Sequence, residues 1–513
     1  MLEPTIQAAW EGLLIVFYWP NIIYPIVGTL LAMVFSVMPG LNGVTLMALA
    51  IPFTMGWEPI PIMLIFGAFV GGATFMGSIT AILFNIPGRN CNAATLLDGY
   101  PMTQQGQART AIGCSAAASA LGSSFGVLVL ILLMPFMRDS ILAFGPPELL
   151  MLAIWGLTTL AVLTRESVIK GLAVIKGLAV AGIGLLMAFI GFDPRTAELR
   201  YIFGTLYLRN GLSLVPVFLG IFAIAEMINI TVSERQTISG KTMVEELTGS
   251  VWEGILSVFR NFGIFIRCSV IGTVIGMIPG VGATVASFVA YSHAAQIAGR
   301  GKGNKFGYGD IRGVLAPEAA NDAKDGGALV PTLSLGIPGS QGTALLLAVF
   351  MMHGITPGRE LMTNNLSLVF VLIWSMFFSN WLTSLLGIAT VKPLVSLTIV
   401  RTHLLVPVIF VLATLGAYMY KGRVEDVIAV YIFGFIGYFM KAYGWPRIPL
   451  VIALVLGPLF ETNLHITMKL HDLGRINFWT RPIAMVLLGF SILSLALPYL
   501  QAWRLRRAEG GRS

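Results

Sequence analysis

The feature that most constrains this chain is the stretch from Gly313 to Pro357, where charged residues stand beside two short apolar runs. Ala328 to Ile337 is apolar but is only about half of the roughly 20 residues that a membrane-spanning helix needs. It ends at Pro338-Gly339-Ser340, and a second short apolar run follows. Unpaired backbone at membrane depth is tolerated only where protein or a water-filled cavity covers it. Two half-length runs that meet at Pro-Gly therefore predict a re-entrant hairpin; a simple kinked helix is the alternative.

The charges of this stretch lie in its first part, on what we predict to be a short helix. Glu318 and Asp322 are four residues apart, as are Asn321 and Asp325, so acids and amides should share adjoining helix faces. Gly326-Gly327 predict the end of that helix. Ionisable residues inside a membrane are functional candidates because they are costly to keep there.

The composition identifies the class of protein. The chain has 513 residues, of which 56% are hydrophobic and 11% charged, and its mean hydropathy is +0.84. These values predict an all-α polytopic membrane protein with about 10 to 14 transmembrane segments. The net charge of +8 fits basic cytoplasmic loops, and no run of basic and aromatic residues indicates a nucleic-acid partner. Three cysteines are too few for a disulfide framework.

We divide the chain into five parts. These are an interfacial N-terminal segment (1–20), a first transmembrane repeat (21–232), a charged amphipathic linker (233–264), a second transmembrane repeat (265–503) and a basic tail (504–513). The arginines of the tail place the C-terminus in the cytoplasm by the positive-inside rule.

Two landmarks recur in the same order in the two halves. Met38-Pro39-Gly40-Leu41 is matched by Ile278-Pro279-Gly280-Val281, and Asn85-Ile86-Pro87-Gly88 is matched by Gly336-Ile337-Pro338-Gly339. Chance is the alternative, since Pro and Gly are common in membrane helices. Paired breaks at corresponding positions indicate inverted-type repeats with paired re-entrant Pro-Gly hairpins, as in secondary transporters.

We predict that substrate binds between the two hairpin tips. Backbone N–H groups at residues 88–90 and 339–341 can bind carboxylates, and Ser340 is a suitable N-cap for the helix that follows. Arg89 either pairs with an anionic substrate or anchors the hairpin at the membrane surface. The predicted substrate-binding residues are Gly88, Arg89, Asn90, Asn92, Asn321, Asp322, Pro338, Gly339, Ser340, Gln341 and Thr343.

The two earlier breaks predict a cation site. Carbonyl groups freed at Pro39–Asn42 and Pro279–Gly282 suit a small cation, and Asn321 or Asp322 could also join it. The predicted coupling-cation residues are Gly40, Asn42, Thr45, Gly280, Gly282 and Thr284.

Motifs along most of the chain carry a family resemblance. The most specific block runs from Gly313-Val314 through Ala316-Pro317-Glu318-Ala319-Ala320-Asn321 to Leu335-Gly336-Ile337-Pro338-Gly339-Ser340. With the two Pro-Gly breaks of the first half, Leu97-Asp98-Gly99-Tyr100-Pro101 and Gly145-Pro146-Pro147-Glu148, it resembles the large membrane subunit (TctA type) of the tripartite tricarboxylate transporters.

The resemblance implies a multi-pass permease of the bacterial cytoplasmic membrane. It would act with a small four-helix membrane subunit (TctB type) and a periplasmic solute-binding protein (TctC type) that delivers citrate or a related di- or tricarboxylate. Uptake would be driven by Na⁺ or H⁺, without ATP or another cofactor, by an elevator-like motion of the repeats.

Two departures from the family pattern fall where we place substrate. Arg89-Asn90-Cys91-Asn92 stands where the family has small residues and Thr-Pro, and Asn321-Asp322 stands in place of an Asn-Asn pair. Lys324 and Asp325 replace small residues. The substrate could therefore be a smaller or differently charged carboxylate than citrate.

Three other functions are less well supported by the sequence. A passive carboxylate channel would have acid rings or carbonyl filters repeated among subunits, whereas this chain has unlike halves. A scaffold subunit would not need a costly acidic helix in the membrane. We expect no enzyme, because no nucleophile with a partner base and no metal-binding motif is found.

Overall fold

The computed structural model describes most of the chain and is almost wholly helical. The described residues are 2–38, 41–162, 172–193, 195–232, 248–279, 281–299, 305–391, 393–394 and 402–509. One two-residue antiparallel strand pair, β1 (Gly191–Phe192) with β2 (Leu199–Arg200), lies among them. The prediction of an all-α polytopic membrane protein is confirmed.

The first half contains eleven α-helices in its described part, with one π-helical turn (Leu219–Ile224) between the last two. They are α1 (Leu2–Phe17), α2 (Ile23–Val37), α3 (Gly43–Ala50), α4 (Pro59–Gly72), α5 (Met76–Phe84), α6 (Leu96–Gln104), α7 (Ala108–Leu142), α8 (Pro146–Val162), α9 (Leu172–Ala188), α10 (Leu214–Phe218) and α11 (Ala225–Val232).

The second half also contains eleven α-helices in the described residues. They are α12 (Val251–Arg260), α13 (Phe262–Met277), α14 (Gly282–Ala298), α15 (Ile311–Leu335), α16 (Gln341–Met352), α17 (Arg359–Asn364), α18 (Leu366–Ala389), α19 (Thr402–Lys421), α20 (Val424–Ala442), α21 (Ile448–Asp472) and α22 (Pro482–Glu509). Short 3₁₀ turns lie at Ile51–Thr54, Asn90–Ala93, Tyr207–Asn210 and Phe478–Thr480.

Length and composition allow fewer full spans than the sequence predicts. Among the described residues, five helical segments are long and apolar enough to cross a membrane, or six if α12 and α13, bent by 79°, count as one span. Six further apolar helices are shorter. The count of 10 to 14 spans remains a prediction, because broken and half-length helices are what re-entrant segments contribute.

The two Pro-Gly hairpins have matching geometry. Each helix before a tip ends in a left-handed residue, Asn85 with φ 58° and Gly336 with φ 69°. Each tip then folds back onto its own helix: a Cβ on Gly88 would lie 2.6 Å from Cα of Gly77, and one on Gly339 would lie 2.8 Å from Cα of Ala328. In both halves, the tip glycine packs against the residue that lies eleven positions earlier in the chain. This equal separation supports paired hairpins.

The central helix α15 differs from the prediction. Gly326-Gly327 do not end it; it continues to Leu335. A Cβ on Gly326 would lie 2.2 Å from the backbone of Gly126 in α7, and one on Gly327 would lie 2.1 Å from the carbonyl oxygen of Thr273 in α13. These glycines let three helix backbones approach closely. They are needed here for helix packing and do not end the helix, which is the other common use of glycine.

All residues of α15 from Gly313 to Leu329 are buried. It packs against α7, α13 and α14, while α18 packs against α4. The charged helix is thus enclosed by other helices, as intramembrane charges require.

Two parts of the predicted five-part division lie outside the described residues: 233–247 of the linker and 510–513 of the tail. The five-part division stays a prediction.

Candidate substrate and ion site

Glu318 is fully buried at the crossing of α15 with α5, α7 and the first hairpin. Its Oε2 accepts hydrogen bonds from Ser78 at 2.6 Å and Ser115 at 3.2 Å. Its Oε1 accepts from Asn92 at 3.4 Å and from the hydroxyl of Thr95. Asn92 also donates to Ser78 at 2.8 Å. This carboxylate joins four parts of the fold through neutral donors, which can hold a charge in place without a counter-ion.

Asp322 lies one turn further along α15 and has fewer partners. Ser119 of α7 donates to Oδ2 at 2.7 Å, and the Asn380 amide of α18 donates to Oδ1 at 2.7 Å. Asn380 also donates to the carbonyl of Gly71 at 3.3 Å, which fixes its orientation. The Oδ1 of Asn380 is buried and has no hydrogen-bond partner within the described ranges. Asp322 is thus a buried carboxylate bonded to an amide whose oxygen has no hydrogen-bond partner among the described residues.

The third acid of α15 is paired with a base. Lys324 and Asp325 form a buried ion pair between Nζ and Oδ1. The Thr74 hydroxyl lies 3.5 Å from Asp325 Oδ2, and Arg89 donates to Thr74 Oγ1 at 3.3 Å. Lys324 therefore contacts one oxygen of this carboxylate directly, and Arg89 is linked to the other oxygen through Thr74.

Asn321 is 1% exposed, and neither its amide nitrogen nor its amide oxygen has a hydrogen-bond partner among the residues that the structure describes. Such a group costs about 1–3 kcal/mol when it is left unsatisfied. Helical spacing places it on the same side of α15 as Lys324 and Ala328, three and seven residues later. Gly339 of the second tip packs on Ala328. The second tip, Lys324 and Asn321 therefore lie along the same side of α15.

Only some of the predicted substrate-binding residues of the first hairpin contact the cluster around α15. Asn92 contacts Glu318 and Arg89 contacts Thr74, whereas Asn90 is exposed. The N–H of Gly88 donates to the carbonyl of Gly77 at 3.2 Å. That N–H is already used within the hairpin.

In the second hairpin, too, the N–H groups of the tip are bonded within the hairpin. Ser340 and Thr343 form a capping box for α16, with the Ser340 N–H donating to Thr343 Oγ1 at 2.8 Å. The Gly339 N–H points to Thr332 Oγ1 at 3.4 Å, Pro338 is buried and Gln341 is exposed. Ser340 as N-cap agrees with the expectation. No hydrogen bond or ion pair of the described residues joins the two tips, so binding between them stays a prediction.

The predicted coupling-cation residues are described in part. Asn42 caps α3 by accepting from the N–H of Thr45 at 3.0 Å, and the Thr45 hydroxyl points to the Phe222 carbonyl at 3.4 Å. Gly282 has a φ of 72° at the start of α14, next to Thr284. Gly40 and Gly280 lie outside the described residues. The cation site at the breaks stays a prediction.

Several residues of the cluster were not identified from the sequence. They are Thr74, Ser78, Thr95, Ser115, Ser119 and Asn380. One signal was available: Ser115, Ser119, Gly122 and Gly126 recur at helical spacing in α7, as a polar and small stripe that fits against another helix. The others could not be found, because they contact α15 across more than 50 residues of sequence.

A second charged cluster lies outside this site. Asp193, Glu461 and His465 bring ligand atoms within 4.8 Å of one another, the one group in the described part of the chain with metal-ligand geometry. Arg200 pairs with Asp193 at 3.1 Å and Glu461 at 2.7 Å. The guanidinium thus already supplies the positive charge, and the cluster fixes the β1–β2 hairpin to α21.

Comparison with known proteins identifies the family of this chain. An uncharacterised 52.8 kDa protein of the TAR-I ttuC′ 3′ region of Agrobacterium vitis is 31% identical over 487 residues, which cover 95% of each chain. An uncharacterised protein of the TAR-II ttuC′ 3′ region of the same organism is 34% identical over 238 residues, 46% of this chain and 98% of that protein. No solved structure matches. Residues 22–452 match the tripartite tricarboxylate transporter TctA family, and the chain therefore belongs to that transporter family.

Proposed function

We propose that this chain is the large permease subunit of a binding-protein-dependent secondary transporter that imports citrate or a related di- or tricarboxylate. It acts in the bacterial cytoplasmic membrane with its C-terminus in the cytoplasm. Its partners are a small four-helix membrane subunit and a periplasmic solute-binding protein. Family membership supports the tripartite assembly.

The observation that carries the proposal is the balance of charge around α15, where the acids and Lys324 are buried and Arg89 is half-buried. Glu318, Asp322 and Asp325 face Arg89 and Lys324. With every group ionised, three carboxylates stand against two cations, and one negative charge is left over. Arg89 and Lys324 can bind a carboxylate substrate, but the added anion makes the site more negative still. A cation that enters with the substrate removes this cost, which is the physical reason to expect coupling to Na⁺ or H⁺.

Asp322 is the best candidate for the coupling cation. Glu318 is held by four donors and Asp325 by a lysine, whereas Asp322 has two neutral donors and, among the described residues, no cation within ion-pair distance. The Asn380 amide that donates to Asp322 carries an Oδ1 without a hydrogen-bond partner in the described part of the chain. Oxygen ligands of this kind suit a hard monovalent cation or a proton.

A passive carboxylate channel remains the second candidate. It is favoured by one observation, the lack of any hydrogen bond or ion pair between the two hairpin tips in the described residues. A channel would have an open path between the two hairpin tips. A carrier would close the path alternately toward each side of the membrane.

Substrate class and partners are tested together by uptake into liposomes that contain this chain and its small membrane partner. Labelled citrate, succinate and acetate are offered with and without the cognate solute-binding protein. We expect accumulation of the di- or tricarboxylate only when the binding protein is present. Equal entry of acetate, or entry that ignores the binding protein, would contradict the proposal.

A further inference from the structure

We propose that Lys324 binds a carboxylate group of the substrate, and that Lys324 forms its ion pair with Asp325 only while no substrate is bound. This inference rests on the proposed carboxylate transport and adds the residue that recognises the anion. The exchange is between two carboxylates on one ammonium group, so no bond is made or broken and the charge of Lys324 is paired before and after.

The geometry of the pair is the first argument. Adjacent residues of a helix point about 100° apart and do not face each other. Lys324 reaches the carboxylate of Asp325 because its side chain is long and flexible. A pair built only for stability is better placed at a spacing of three or four residues. The flexible lysine can therefore turn to another anion while its backbone stays fixed.

The surroundings of Lys324 supply the second argument. Asn321, one turn earlier on the same side, has an amide N–H₂ and a carbonyl oxygen that are both buried and have no partner among the described residues. An unsatisfied buried amide marks a place where a partner is missing. A substrate carboxylate that replaces Asp325 at Lys324 can accept from the Asn321 nitrogen, and a hydroxyl of the substrate can donate to its oxygen.

The third argument concerns where Asp325 goes. Its Oδ2 lies 3.5 Å from the hydroxyl of Thr74, which in turn accepts from Arg89 at 3.3 Å. When Lys324 turns to the substrate, Asp325 keeps Thr74 and moves toward Arg89. Its charge stays compensated, so the exchange leaves no buried carboxylate alone. The first hairpin, which carries Arg89, is thereby drawn toward α15 when the substrate binds.

The test separates exchange from a fixed structural pair. Wild type, Lys324→Met, Asp325→Asn and the double variant are reconstituted in lipid nanodiscs, and equilibrium binding of labelled citrate and succinate is measured. We expect Lys324→Met and the double variant to weaken binding by about tenfold to a hundredfold, the loss of one charge-assisted contact. Asp325→Asn should tighten binding, because the internal competitor is gone.

The matched control is the Lys441–Glu226 pair, a lysine–carboxylate contact between α20 and α11 away from α15. Lys441→Met with Glu226→Gln should leave the affinity unchanged. If the double variant at 324 and 325 binds as tightly as wild type, the pair is structural and the exchange is refuted while carboxylate binding stands. If wild type itself binds neither probe, both the exchange and the proposed substrate class are overturned.

Discussion

At the scale of single residues, the three acids of α15 have different environments and cannot substitute for one another. Glu318 accepts from four neutral side chains, Asp322 from two, and Asp325 from a lysine and a threonine. We therefore assign Glu318 to holding the fold, Asp322 to the coupling cation and Asp325 to the exchange with substrate. Each assignment predicts a different result on substitution.

Glu318→Gln should destabilise the protein rather than change its ion dependence. The glutamine keeps one acceptor oxygen and presents an N–H₂ to groups that now donate to Glu318, so charge-assisted hydrogen bonds are lost. We expect a cost of about 1–3 kcal/mol, seen as a lower thermal unfolding midpoint in detergent. Glu360→Gln, an exposed acid of α17, is the control and should leave the midpoint unchanged. An unaltered midpoint for Glu318→Gln would contradict the structural role.

Sequence reasoning identified the acidic helix but not its partners. Asn321 and Asp322 stood out because charge and amide groups are rare between apolar runs. The partners of Asp322, Ser119 and Asn380, lie 203 and 58 residues away in sequence, and serine in a membrane helix is too common to be distinctive. Arg89 was identified as a possible anion ligand, and its link to Asp325 through Thr74 required the fold.

At the scale of elements, the hairpins depend on the absence of side chains at their tips. A Cβ on Gly339 would lie 2.8 Å from the backbone of Ala328, closer than real Cβ contacts allow. A Cβ on Gly342, three residues later, would meet nothing closer than 4.0 Å. The two positions make a matched pair in one hairpin.

We predict that Gly339→Ala abolishes most uptake by pushing the second tip off α15, whereas Gly342→Ala retains it. Uptake of labelled citrate per reconstituted protein is the measurement, with folding checked by gel filtration. Equal uptake by the two variants would show that the fold-back at Gly339 has no role in transport.

The β1–β2 hairpin, which lies outside the spanning helices, gives a prediction about pH. The Arg195 N–H, 2.7 Å from Asp193 Oδ1, together with the Thr196 N–H and the Arg200 cation, holds the pKa of Asp193 below its ordinary value of 3.8. A lowered carboxyl pKa stabilises the folded state above the ordinary value, and this contribution is lost as the pH falls through the folded pKa. The link from Asp193 through Arg200 to Glu461 should therefore persist from neutral pH to about pH 4.

Asp193→Asn should loosen residues 191–200 at neutral pH, because it removes this carboxylate. Hydrogen exchange of the hairpin measures the change, and Glu198→Gln, an exposed acid of the same hairpin, is the control. Protection that is equal in Asp193→Asn and wild type would contradict the assigned role of Asp193.

The element scale also shows where sequence rules failed. Gly326-Gly327 predict a helix end because glycine is common there, but close packing against α7 and α13 requires glycine at the same place. A single sequence does not distinguish these two uses. The Pro-Gly tips were recognisable because proline after an apolar run has fewer explanations in a membrane.

At the scale of the whole molecule, composition and the repeated Pro-Gly motifs were enough to predict the class and the paired hairpins. High hydropathy leaves few alternatives to a bundle of membrane helices. The number of spans could not be predicted in this way, because α12 and α13 divide one apolar stretch at a 79° bend and six further apolar helices in the described residues are too short to span alone. How the halves meet depends on contacts such as Ser78 with Glu318, which are 240 residues apart.

The central claim is that carboxylate uptake is coupled to a cation at Asp322, and the most direct test is uptake under imposed gradients. Wild type, Asp322→Asn and Asp426→Asn are reconstituted with the small membrane partner and the binding protein, and labelled citrate is followed with Na⁺ or proton gradients. Asp426 is the control because it is a fully buried acid of α20, bonded to Tyr207 at 2.9 Å, away from α15.

We predict that wild type and Asp426→Asn accumulate citrate only when one of the two gradients is present, and that Asp322→Asn binds citrate without accumulating it. Accumulation by Asp322→Asn equal to wild type would refute the assigned cation site. Equilibration of citrate that ignores both gradients in wild type would refute the carrier itself and make a passive channel the better account.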